Sequence, residues 1–154
     1  LRTYPYPVFH DSAVVADDPL AYVEEHRLPL TKIHGDWNPG RYPLEDLREL
    51  PDVTLTASND HDFELLPAGV DKGRTLALLA LMYGAALSDC AAVGDSDNDL
   101  AMLRAVGTPI AMGNASRAVR EAAVWSTASN GEDGAAKAIF RCLEDPCANS
   151  GISP

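Results

Sequence analysis

Between Cys90 and Leu103 the chain changes character twice in fourteen residues. A short run of small apolar residues, Cys90-Ala91-Ala92-Val93, passes through Gly94 into Asp95-Ser96-Asp97-Asn98-Asp99, and Leu100, Leu103 and Val106 then recur at helical spacing. The pattern predicts a buried strand, a sharp turn permitted by the glycine, and a helix. It sets the carboxylates of Asp95, Asp97 and Asp99 at the carboxyl end of a strand, where open α/β sheets bind ligands. Carboxylates this close repel one another unless a cation neutralises them, and hard oxygen donors suit Mg2+. A metal site is therefore the first expectation, with turn formation and helix capping by the same residues as the plainer alternative. A calcium loop of the EF-hand type fits poorly: Leu100 stands where that loop needs glycine, and Val106 where it needs a bidentate glutamate.

Composition bounds the partners. At 154 residues and 46% hydrophobic content the chain has the size and apolar fraction of one globular domain or two small ones. A net charge of −11 argues against nucleic acid, whose phosphates it would repel, and is compatible with a protein that holds a phosphorylated small molecule through Mg2+. Neither a membrane span nor a signal peptide is expected, since there is no long apolar run and no basic-then-apolar leader. Cys90, Cys142 and Cys147 are an odd set without metal-ligand spacing, which favours a reducing, cytoplasmic setting over a disulfide framework or a zinc site. The chain opens on Leu1, which raises the expectation of a trimmed or processed product.

In chain order, Val8-Phe9 and Ala13-Val14-Val15 are short strand candidates. Asp18-Pro19 reads as cap and first residue of a helix to about His26, with Leu20 and Val23 inward. A strand is expected over Leu30–His34, a turn at Trp37-Asn38-Pro39-Gly40, a short helix over Leu44–Leu50, and a hairpin from Val53–Ala57 and Phe63–Leu66. Asp60-His61-Asp62 reads as part of the intervening turn. The helix from Asp71 or Lys72 to Tyr83 is apolar nearly all round, which predicts burial on most sides. Cys90–Val93, Pro109–Met112 and Val124–Thr127 are further strands. A helix over Asp97–Val106 separates the first two, and one capped by Asn114 or Ser116 precedes the third. Asn130–Asp133 opens a last helix in which Ala135, Ile139 and Leu143 repeat at four-residue steps, and the tail from Pro146 onward has little to pack.

The stretch from Gly94 to Leu103 resembles the fourth motif of the haloacid dehalogenase (HAD) superfamily, in the Cof-type branch of sugar and metabolite phosphatases. Upstream, Leu65-Leu66-Pro67-Ala68-Gly69-Val70-Asp71-Lys72-Gly73 is similar to the segment that carries that family's catalytic lysine. Downstream, Ala111-Met112-Gly113-Asn114-Ala115 and Ser129-Asn130-Gly131-Glu132-Asp133-Gly134 resemble its two later loops, so the likeness covers about residues 53–143. The implied fold is α/β: part of a Rossmann-type parallel sheet core over residues 67–154, with a small α/β cap over residues 1–66 and Pro67-Ala68-Gly69 as the hinge. The family's opening strand with its Asp-x-Asp nucleophile has no counterpart here, nor has its threonine or serine motif. Leu1-Arg2-Thr3-Tyr4-Pro5-Tyr6-Pro7 is unsuited to a central strand, and Asp60-His61-Asp62 lacks an apolar strand before it.

The resemblance assigns roles to residues. Asp95 becomes the direct Mg2+ ligand and Asp99 the second acidic group, bound directly or through water. Lys72 becomes the catalytic lysine that pairs with the transferred phosphoryl group, against the alternative of a solvated helix-start lysine. Asn98 becomes a neutral donor to phosphate oxygens, Asp97 faces solvent, and Asn114 either reaches the acidic loop or caps a helix. Three readings follow: a Mg2+-dependent phosphohydrolase working through an aspartyl-phosphate, or a fragment of one inactive alone for want of the nucleophile; a non-catalytic binding relative; and an assembly module completed by another chain. Without the nucleophile's strand, Cys90–Val93 should present a free sheet edge, predicting self-association or an N-terminal segment that completes the sheet.

Overall fold

The structure is a computed structural model that describes residues 13–37, 45–57 and 61–144. The chain divides into two compact units, residues 1–31 and 32–154. In the first, helix α1 (Pro19–Glu25) begins as the sequence requires: Asp18 accepts the Ala21 N–H at 3.0 Å, and Pro19 occupies the first turn. His26 stacks on Tyr22 with ring centroids 4.0 Å apart. No strand forms over Ala13–Val15, whose two valines are exposed, and Leu20 is exposed rather than inward. The reason is local: α1 has no buried residue, so its apolar spacing has no core to meet within this unit.

The second unit holds two sheets of three strands each. The antiparallel one is built from β1 (Ile33–Asp36), β2 (Val53–Thr56) and β3 (Asp62–Pro67), in the order β1-β3-β2, with the short helix α2 (Glu45–Arg48) before β2. Leu65 sits between Ile33 and Leu55, a cross-strand apolar row that fixes the register. Two expectations shift. The strand foreseen over Leu30–His34 starts at Ile33, and Asp62 lies in the central strand instead of a turn, buried, with His34 Nε2 3.5 Å from its Oδ2. The expected turn at 38–40, Leu44, Asp60, Val8-Phe9 and the tail fall outside the described residues.

The parallel sheet contains β4 (Ala91–Gly94), β5 (Thr108–Ala111) and β6 (Trp125–Ser126), in that order. Helices α4 (Leu100–Ala105) and α5 (Arg117–Ala122) make the crossovers that parallel pairing demands, and α6 (Gly134–Glu144) follows β6. All four residues of β5 are buried. Leu103, Ala111 and Val119 are fully buried at the centre of a core that also includes Ala92, Met112 and Ala115. The expected helix from Asp97 is a 3-10 turn, Asp97–Asp99, that leads into α4, and a similar turn at Asn130–Glu132 precedes α6.

Helix α3 (Lys72–Met82) packs on α4 through Gly73, where an added Cβ would lie 2.5 Å from the Ala101 carbonyl oxygen. The expectation that α3 is buried on most sides does not hold. Leu78, Leu81, Met82 and Tyr83 are 65–81% exposed, because only the face carrying Gly73, Leu76 and Ala80 meets the rest of the described residues. In α6 the small residues Gly134 and Ala138 turn inward, while Ile139 and Leu143 of the expected apolar row are exposed. Among the described strands β4 has a neighbour on one side only. No helix among the described residues is long and apolar enough to cross a membrane.

Core and outer apolar positions should respond very differently to truncation. Leu103→Ala, at a fully buried site, is expected to cost about 3 kcal/mol in urea unfolding, whereas Leu81→Ala, 76% exposed, should change stability by no more than about 0.5 kcal/mol.

Candidate functional site

The acidic loop leaves the carboxyl end of β4 and folds back on itself. Asp99 Oδ2 accepts the backbone N–H groups of Asp95 at 2.9 Å and Ser96 at 3.2 Å, and the Asp99 N–H closes the turn onto the Ser96 carbonyl at 2.9 Å. This requires Gly94, because a Cβ there would stand 2.6 Å from Asp99 Cβ. From the start of α3, where Asp71 caps the helix by accepting the Arg74 N–H at 2.8 Å, the Lys72 ammonium reaches the loop. Its Nζ lies 2.5 Å from Asp99 Oδ1 and 3.3 Å from Asn98 Oδ1. Three of the four residues singled out in the sequence thus meet at one point. The fourth, Asp95, adjoins them through its own backbone.

Asp99 is buried, and burial alone would raise its pKa. The Lys72 hydrogen bond, the Asp95 and Ser96 N–H groups and the Lys72 charge together outweigh it and hold the carboxyl below its ordinary range. Asp99 is therefore a permanent anion at neutral pH, and it fixes the Lys72 ammonium beside it.

Asp95 has different surroundings. Ser96 Oγ donates to its Oδ1 at 3.0 Å and Asn114 Nδ2 to its Oδ2 at 2.9 Å, both neutral donors. Of the two roles open to Asn114 in the sequence, the structure has the loop contact: Ser116 caps α5, accepting the Val119 N–H at 3.3 Å. Ser116 Oγ also donates to Asp97 Oδ1 at 2.8 Å, so Asp97 is exposed but tethered. The contacts of Ser96 with Asp95 and of Ser116 with Asp97 were not foreseen, since a serine in a turn carries no signal for which carboxylate it will meet.

No three His, Cys, Asp or Glu side chains among the described residues converge as a complete metal cluster. Both Asp99 oxygens already carry protein donors, two of them backbone. Asp95, only partly buried and bonded by neutral groups, is the carboxylate whose donor chemistry fits a hard divalent cation that takes one or two carboxylates and keeps several waters.

A cavity of about 650 Å³ adjoins this cluster, lined by Lys72, Asp97 and Asn98, by apolar residues such as Leu66 and Leu76, and by Lys32 and Glu64 of the antiparallel side. Lys32 Nζ and Glu64 Oε1 pair at 2.8 Å. Its volume suits a small organic molecule.

The pattern of the haloacid dehalogenase-like hydrolases matches residues 42–139, and the chain belongs to that family. It is 41% identical over 99 residues to the 5-amino-6-(5-phospho-D-ribitylamino)uracil phosphatase YwtE of Bacillus subtilis, a match that covers 64% of this chain and 35% of that protein. Phosphatase YwpJ of the same organism is 44% identical over 92 residues, 60% of this chain and 32% of that one. Among solved structures, a haloacid dehalogenase-like hydrolase from Bacteroides thetaiotaomicron superposes with a TM-score of 0.65 at 32% identity, over 82% of this chain and 48% of that one. The chain spans about a third of the length of the curated relatives it matches and about half of this solved structure. The α/β fold with its parallel sheet matches that of this solved haloacid dehalogenase-like hydrolase.

The Lys72–Asp99 pair sets an acid limit on stability. Because the folded Asp99 pKa is depressed, the pair's contribution is present at neutral pH and is lost as pH falls below the ordinary aspartate range, through the lowered value. Lys72→Met removes the partner and leaves burial opposed only by the Asp95 and Ser96 N–H groups, so the Asp99 carboxyl should titrate at higher pH by carbon-13 NMR and acid unfolding should begin earlier. Arg117→Met, at the exposed pair with Glu121, should shift stability by no more than about 0.5 kcal/mol.

Proposed function

We propose that this chain carries the substrate lid, residues 1–66, and the later half of the core, residues 67–154, of a Mg2+-dependent phosphohydrolase that cleaves the phosphate monoester of a small metabolite through an aspartyl-phosphate. The observation that carries this reading is the convergence of Lys72, Asn98 and Asp99 at the carboxyl end of β4, with the Asp95 carboxylate next to them. The names of the relatives support it: two are phosphatases, one of a phosphorylated ribitylaminouracil. Cys90, whose Sγ lies 3.3 Å from the Ala86 carbonyl oxygen and forms no disulfide, is in keeping with a reducing, cytoplasmic setting.

In this reading Asp95 holds the Mg2+, and Asp99 is the second acidic group, direct or through water. When bound, the cation neutralises charge on the phosphate and on the nucleophile. The protein's own residues do the rest. The Lys72 ammonium, held in place by Asp99, supplies positive charge to the phosphoryl oxygens as nucleophile and phosphate approach. Asn98 offers an amide donor where another carboxylate would repel the substrate. The cavity receives the organic part of the ester between its apolar walls. The nucleophilic aspartate is not among these 154 residues: Asp62 is buried on β3, paired with His34, and no other Asp-x-Asp lies outside the acidic loop. The 154-residue chain is therefore expected to show no turnover of small phosphate esters with Mg2+ present. Turnover abolished by Asp60→Asn would overturn this.

A second reading, a module completed by another polypeptide, is favoured by the side of β4 that has no neighbour among the described strands. A buried-type strand in water is a template for pairing. Sedimentation at micromolar concentration, with intact mass to detect a companion peptide, should find self-association or a bound segment. A well-folded monomer with no companion would sink it.

A further inference from the structure

Asn114 lies on the link between β5 and α5, outside the acidic loop, yet it joins two parts of the site that the reading above leaves separate. Its Nδ2 donates to Asp95 Oδ2 at 2.9 Å, and its Oδ1 accepts the backbone N–H of Asn130 at 2.9 Å. One end of the amide thus grips a carboxylate at the tip of β4, and the other is gripped by the turn after β6. That turn is firmly built. Ser129 Oγ bonds Glu132 Oε2 at 2.6 Å, Thr127 Oγ1 bonds the Gly134 carbonyl at 2.8 Å, and Asp133 takes a left-handed conformation at φ 58°. Gly113, beside Asn114, has no room for a Cβ, which would stand 2.6 Å from the Ser129 nitrogen. The segment Ser129–Gly134, to which the mechanism gives no role, is therefore the anchor of Asn114.

We infer that Asn114 is a positioning residue that locks the Asp95 carboxylate in one orientation, with the turn at Asn130 as its fixed support. The chemistry suits the task. A neutral amide orients a carboxylate without neutralising it, whereas a lysine or arginine would cancel the charge a cation needs. Ser96 Oγ holds the other oxygen, so the Asp95 carboxylate is fixed at both ends. Helix capping does not explain Asn114, because Ser116 performs that function for α5.

The inference rests on Asp95 as the metal carboxylate, and its test separates the two. In the full 154-residue chain, three-bond couplings of Asp95 measured without metal should show a single side-chain rotamer, averaged in Asn114→Ala and retained in Ser116→Ala. Mn2+ titration should then show Asn114→Ala binding about 10- to 100-fold more weakly than the parent, the range for loss of a group that orients a metal ligand. In an Asp95→Asn background the same change should have no further effect on Mn2+. A purely structural Asn114 would lower thermal stability and leave rotamer and Mn2+ affinity unchanged. Asp95 keeping one rotamer in Asn114→Ala, or unchanged Mn2+ affinity in that variant, overturns the inference. If the parent binds no Mn2+, the metal reading of Asp95 fails, and the rotamer measurement alone decides the role of Asn114.

Discussion

A buried carboxylate must find partners or lose its charge, and Asp99 finds three: the N–H groups of Asp95 and Ser96 and the Lys72 ammonium. Much of the local architecture is what this arrangement requires. Gly94 must lack a side chain for Asp99 to fold back, Asp71 must stop and start the chain so that α3 begins at Lys72, and Gly73 must let α3 close on α4 until the ammonium reaches the loop. Residues 27 apart in sequence are thereby fastened at one point of the sheet. The cost of burying Asp99 is offset by the Lys72 ammonium together with the backbone N–H groups of the loop, and the lysine, which is half exposed, keeps one side toward the adjoining cavity.

That reciprocity explains why the site was legible in the sequence and why part of it was not. A glycine between a small-apolar strand and an acidic turn is a local pattern, and Lys72, Asn98, Asp95 and Asp99 could be picked out from it and from the family likeness. The three strands of the parallel sheet could be picked out as segments, while their order in the sheet came from the structure. Asn114 could not be settled, because both it and Ser116 are competent caps, and which one turns toward β4 is decided by the Asn130 N–H, a partner 16 residues away. Asp62 was misplaced for a related reason. Asp beside His reads as a turn until His34 on the neighbouring strand supplies its partner.

The helices failed in the opposite sense. Periodicity reports which residues are suited to burial, and α3, with Leu78, Leu81 and Met82 around its circumference, is suited to burial on nearly every side. Burial itself depends on what surrounds the helix, and the described residues cover only the face of Gly73, Leu76 and Ala80. In α6 the small residues won the inner face because Gly134 packs against the Ala128 carbonyl, where no larger side chain fits, and the bulky Ile139, Phe140 and Leu143 were left outside.

These outward apolar residues and the side of β4 that no described strand covers make related physical demands. Isolated exposed leucines are ordinary, but a helix whose outer face is leucine, methionine and tyrosine, in a unit whose parallel sheet ends on an apolar strand, is the composition of an interior surface. Hydrogen-bonding groups at a strand edge and apolar side chains on a helix are satisfied by different contacts, the first directional and the second not. A strand laid along the side of β4 that no described strand covers would satisfy the first. A β-strand laid along β4 in parallel register would also bring its carboxyl end level with Gly94, beside Asp95 and Lys72. In the proposed reaction that is where a nucleophile from outside these residues would stand. On the proposed reading, a strand that paired with β4 would also carry the nucleophile, so the catalytic and assembly readings would share one geometry.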